Sequence, residues 1–99
     1  MKRIKKLVDE IKDELCSAKD YAECYVSYKA KNNNTWATRY KEMANDELKH
    51  ANYLHERVVH DIEELSSVFT PPQAMMDKWE KDHSEYVQQA AWIKQMLSM

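Results

Sequence analysis

Ninety-nine residues, 32% of them charged and 43% hydrophobic, allow one core, and the absence of glycine excludes the tight phosphate-cradling loops that need its backbone freedom. The net charge of −2, with both signs interspersed, argues against nucleic acid as a partner. The basic start Met1–Lys6 runs straight into Asp9, Glu10, Asp13 and Glu14. It leaves no apolar stretch for a signal peptide or a membrane span, so the expectation is a cytoplasmic protein without a membrane partner.

Two polar breaks divide the chain. Asn32-Asn33-Asn34-Thr35 offers helix-capping side chains, and Ser66-Ser67 followed by Thr70-Pro71-Pro72 offers a second stop. They predict three long helices over about 3–31, 35–68 and 72–98 in one all-α domain, with short links that make neighbours antiparallel. The first carries a stripe at three- and four-residue spacing: Ile4, Leu7, Ile11, Glu14, Ala18, Tyr21, Tyr25 and Tyr28. Cys16 and Cys24 stand about 12 Å apart along it, too far for a disulfide, and read as reduced thiols. The second stripe runs Trp36, Tyr40, Met43, Glu47, His50 or Ala51, Leu54, Val58, Ile62 and Leu65. The third runs Met76, Trp79, His83, Tyr86, Ala90, Ile93 and Leu97. These are helical periods, not the alternation of strands.

Glu14, Glu47, His50 and His83 interrupt stripes that otherwise belong to a core. An unpaired ionised carboxylate in such a place costs several kcal/mol, so a common cause is needed. Folding the chain at the first break puts Glu14 level with about residue 52, within roughly 3–8 Å axially of Glu47 and His50. Glu47-Leu48-Lys49-His50 places its carboxylate and imidazole on one helix face at i, i+3. One helix giving a glutamate and its neighbour giving Glu-x-x-His is the donor pattern of two-metal carboxylate bundles. Carboxylates bridge two cations and imidazole caps each, which suits iron or manganese and admits zinc. This chain supplies half of such a set, which predicts a homodimer or higher homo-oligomer with the metals near its two-fold axis. The competing reading is a helical interaction or adaptor module with a structural metal or none.

Glu80-Lys81-Asp82-His83 repeats the Glu-x-x-His spacing. Folding at the second break puts it level with about residues 59–62, roughly 18 Å from Glu47 and His50. It is expected instead to face His60, Asp61 and Glu64, with Asp61, Glu64, Glu80 and His83 as a weaker accessory cation site. The plainer alternative makes His83 a core histidine and Glu80 an ion-pair partner. His55 and His60 read as surface groups. Trp92, off the third stripe beside Met96, reads as an oligomer contact.

Two stretches carry a family resemblance. Glu14-Leu-Cys-Ser-Ala-Lys-Asp-Tyr21-Ala-Glu and Asn45-Asp-Glu47-Leu-Lys-His50-Ala51 resemble the ligand helices of the ferritin-like superfamily, in particular rubrerythrin and the half-length encapsulated ferritins. The resemblance covers roughly residues 7–60. It implies two irons held in a four-helix bundle built from two α-hairpins, the third helix packed alongside, and ferrous iron oxidation or dioxygen or peroxide chemistry of oxidoreductase type. It makes Glu14 a terminal or bridging ligand, Glu47 a bridging ligand and His50 a terminal ligand, the residues carrying the catalysis. Tyr21 becomes a hydrogen-bonding support behind the ligands, and Tyr40, two turns from Glu47, is grouped with it. The chain departs from rubrerythrin in having no cysteine-rich iron–sulfur segment.

Overall fold

The computed structural model describes residues 2–99. It is all-α: α1 spans Lys2–Ala30, α2 Asn34–Val68 and α3 Gln73–Leu97, within two residues of the expected boundaries. The molecule is a rod with extents of 55 × 17 × 17 Å.

The α1–α2 turn solves a problem set by the missing glycine. A helix commonly ends on a residue at positive φ, where glycine is cheapest and asparagine next. Asn32 takes that position with φ 58°. The Asn33 N–H donates to Tyr28 O (2.9 Å) and the Asn32 N–H to Lys29 O (3.0 Å), closing the end of α1. The Asn33 side chain then accepts from the Trp36 N–H at 3.3 Å and opens α2. Two adjacent asparagines thus end one helix and start the next. At the second break the Phe69 N–H still reaches Leu65 O, and Pro72, lacking an N–H, stands at the start of α3.

α1 packs closely on α2. The buried residues of α1 are Ile4, Val8, Ile11, Leu15, Ala18, Ala22 and Tyr25, alternating steps of four and three. On α2 Ala37, Ala44, Ala51 and Val58 recur every seventh residue. Such a repeat keeps one seam facing the partner helix along its whole length. Ala18, Ala22, Ala44 and Ala51 are fully buried, and their small side chains let the helices approach closely.

This seam keeps the expected Ile4, Ile11, Ala18, Tyr25, Ala51, Val58 and Ile62 and moves the alternate positions by one step. On α1 the column Val8, Leu15, Ala22 is buried, while Leu7, Glu14, Tyr21 and Tyr28 lie on its half-buried shoulder. On α2 the alanines take the centre, while Trp36 and Met43 are exposed. Bulky rings and a carboxylate do not fit where two helices nearly touch. Glu14 is therefore a shoulder residue, not a centre-line one.

α3 packs mainly against α1. Its Asp82 is buried and paired with Lys12 of α1 (3.2 Å) and Lys78 (3.1 Å), and Ala90, Ile93, Met96 and Leu97 form a buried knot near its end. His83 packs on His55, about one turn from the level of residue 59 expected from the sequence. No described helix is long and apolar enough to cross a membrane.

Candidate metal centre

Glu14 comes from the middle of α1, and Glu47 and His50 from successive turns of α2. One ligand atom from each lies within 4.8 Å of the others. The His50 Nδ1 stands 3.6 Å from Glu14 Oε2 and 3.7 Å from Glu47 Oε1. The Glu14 and Glu47 side chains are 29% and 23% exposed, and His50 is 55% exposed. The cluster, called the notch below, lies at the edge of the α1–α2 seam with its imidazole on the solvent side.

Its electrostatics are those of a site short of a cation. Glu14 Oε2 is buried with no hydrogen-bond donor among the described residues. The Glu47 carboxyl is held above its ordinary range by a hydrogen bond to Glu14, then by burial and by the negative charge of Glu14, with His50 pulling the other way. A proton shared between the two carboxyls would supply the missing donor. Fully ionised, the pair would repel by on the order of 3 kcal/mol at an effective dielectric near 20. A divalent cation removes that repulsion and gives Glu14 Oε2 a partner. Two carboxylate oxygens and one imidazole nitrogen fit iron, manganese or zinc as a donor set.

The position of the notch matters as much as its donors. Lys12 and Cys16, two residues either side of Glu14, stand about 160° around α1 from it, at about 100° per residue. Lys12 is paired to α3. Glu14 therefore faces away from α3, on a side where Tyr21 and Tyr40 are half-buried and Met43 is 39% exposed.

Tyr21 and Tyr40 pack on each other with ring centroids 6.1 Å apart, and Tyr40 also stacks on Tyr28 at 5.6 Å. Among the described residues neither hydroxyl is hydrogen-bonded to the carboxylates, so here the two tyrosines act through their rings.

The expected accessory set is not gathered. Asp61 and Glu64 meet His60, at 3.5 Å from its Nδ1 and 3.8 Å from its Nε2 respectively. Glu80 is exposed and outside both clusters. His83 lies in a ring cluster with His55, Trp79 and Tyr86, its centroid 4.9 Å from that of His55. His55 is thus no surface group. It stacks on Tyr86 at 10° between planes, and burial, then the charge of His83, lowers its pKa below the ordinary imidazole value. Only the level of α3 brings these rings to His55, and helix spacing from the second break put that level one turn away.

No family model matches the chain, and neither a curated protein nor a solved structure matches it.

Proposed function

We propose that this chain is a two-metal carboxylate protein of the ferritin-like kind, working as a homodimer. Two antiparallel α1–α2 hairpins pair through the side turned away from α3, and each brings Glu14, Glu47 and His50. The antiparallel reading rests on pairs whose numbers fall on α2 as they rise on α1: Arg3 with Asp61, Glu14 with His50, Tyr28 with Tyr40. The observation that carries the proposal is the open notch of two carboxylates and an imidazole, with an oxygen left without a donor. Two copies double the donors to four carboxylates and two histidines, the complement of a two-metal site.

Iron is the expected metal, one per chain and two per dimer, with manganese or zinc as substitutes. Bound iron would supply electrons to dioxygen or peroxide, which makes ferrous iron oxidation the expected activity. The residues of the chain hold the cations and neutralise them. The rings of Tyr21 and Tyr40 and the neighbouring hairpin limit the access of water.

Metal analysis combined with analytical ultracentrifugation tests this. The expected result is about one metal per chain in a dimer, with Glu47→Ala losing the metal. A wild-type chain that stays monomeric and metal-free at about 100 μM with added ferrous iron, well above the dissociation constant of a stable dimer, would overturn it. That outcome would leave the helical interaction module as the better reading.

A further inference from the structure

We infer that the cleft between α1 and α3 is a binding site for an uncharged, planar aromatic molecule. It is separate from the metal notch, which faces the other side of α1. The cleft encloses about 630 Å³, inside the range of about 300–1,000 Å³ typical of small-molecule sites. It exists because α3 is tied to α1 at two levels. The Lys12–Asp82 pair holds one and the buried Ala90–Leu97 knot the other. Between them Leu15 and Cys16 of α1 and Tyr86 of α3 line the cleft.

The lining sorts by chemistry. Val8, Ile11 and Leu15 make an aliphatic floor, each at least nine-tenths buried by the packed helices. Trp79, Tyr86 and Trp92 make flat walls, with His55 behind them. Trp92 is 49% exposed, so a large ring stands half in water at the edge of an apolar cleft. Rings prefer offset-stacked or edge-to-face partners, and a flat ligand would supply one while covering that surface.

The charges at the mouth cancel. Asp82 is paired with Lys12 at 3.2 Å and Lys78 at 3.1 Å, Glu56 adds a negative charge felt by His55 and Tyr86, and Lys19 and Glu85 add one of each sign. Burial lowers the pKa of His55, which disfavours a positive charge on it. A charged ligand would lose hydration on the aliphatic floor without a net counter-charge to offset it. The Gln88 and Gln89 amides can hydrogen-bond a hydroxyl or a carbonyl. Balanced charge, flat walls and neutral amides together select an uncharged aromatic body carrying one polar group.

The test uses three probes that share one ring system: 2-naphthol, 2-naphthoate and 2-naphthylmethylammonium. Each is titrated at pH 7 into the full chain, with tryptophan fluorescence and calorimetry as readouts. The expected result is saturable binding of 2-naphthol, at least about tenfold tighter than either charged probe, and slower reaction of Cys16 with a thiol reagent when it is bound. Leu15→Trp fills the floor and should weaken binding about tenfold or more. Trp92→Ala removes a half-exposed wall without touching the core and should weaken it several-fold, which keeps the test decisive if Leu15→Trp does not fold. Absence of saturable binding, tighter binding of either charged probe, or wild-type affinity in a folded Trp92→Ala protein would overturn the assignment. None of these readouts depends on metal.

Discussion

Two clusters in this molecule have the same composition, two carboxylates and one histidine, and opposite character. Around Asp61, which is 9% exposed, Arg3 Nε stands at 3.2 Å and Arg57 Nε at 3.1 Å, with His60 and Glu64 further out. Around Glu14 and Glu47 no lysine or arginine is paired among the described residues, and only the His50 imidazole stands near both carboxylates. In the first cluster two arginines within salt-bridge distance balance the charge of Asp61 and join α1 to α2, although Asp61 Oδ2, like Glu14 Oε2, has no well-formed hydrogen bond among the described residues. In the second, a shared proton or a cation would offset the charge that no lysine or arginine balances. Pairing with arginine, more than residue type, separates the two clusters.

The largest expected effect belongs to the brace. Asp61→Ala should lower stability by about 1–2 kcal/mol, because the buried pair is lost while its half-exposed arginines regain water. For a domain of this size that is a melting temperature lower by roughly 5–15 °C. Thermal unfolding should show the same loss with and without a chelator. A loss that appears only with metal present would make Asp61 part of a cation site and erase the contrast.

The notch should respond in the opposite sense. The pKa of Glu47 is raised, so the folded chain holds that proton more tightly than the unfolded chain, and ionising it at neutral pH costs stability. Glu47→Gln removes the cost and keeps an amide able to donate to Glu14. The metal-free variant should melt about 2–5 °C above wild type at pH 7. The gain should fade below about pH 4, where wild-type Glu47 is protonated in both states. Ferrous or manganous ions should raise the melting temperature of wild type and not of the variant. A Gln variant less stable than wild type at pH 7 would show that the carboxylate is a structural partner after all.

The contrast between the two clusters was half legible in the sequence. Glu14, Glu47 and His50 could be brought together because they lie on two helices joined by one short turn, where residue counting fixes the level to within about a turn. What counting could not supply is the partner of a charge. Arg3 meets Asp61 at the end of the helix pair furthest from its turn, and nothing in the pattern of either helix singles out that arginine. The stripes were right in period and right at Ile4, Ile11, Ala18, Tyr25, Ala51, Val58 and Ile62, but alternate positions fell one step off, because hydrophobicity favours Tyr21 and Met43 over Ala22 and Ala44, whereas close helix approach favours alanine. The third helix was least legible. The Pro71–Pro72 break gives its start but not the axial slip that brings His83, Trp79 and Tyr86 onto His55.

The smallest expected effect concerns the surroundings of the notch. Tyr21 lies two turns along α1 from Glu14, and its ring packs on Tyr40. Tyr21→Phe keeps that packing and deletes a hydroxyl with no partner in the cluster among the described residues. In the metal-free chain the change in stability should therefore stay within about 0.5 kcal/mol, the size of an ordinary surface substitution. Groups that hydrogen-bond metal ligands behave differently, and losing one lowers metal affinity by about 10–100-fold. If dimer formation turns the Tyr21 hydroxyl onto a ligand carboxylate, the variant will bind ferrous iron at least about tenfold more weakly while its metal-free melting curve is unchanged. Equal affinity in the two proteins would make Tyr21 a packing residue only. A metal-free loss well above about 0.5 kcal/mol would mean that the hydroxyl already supports the cluster before any metal binds, and Tyr21 would then be a structural partner of the carboxylates.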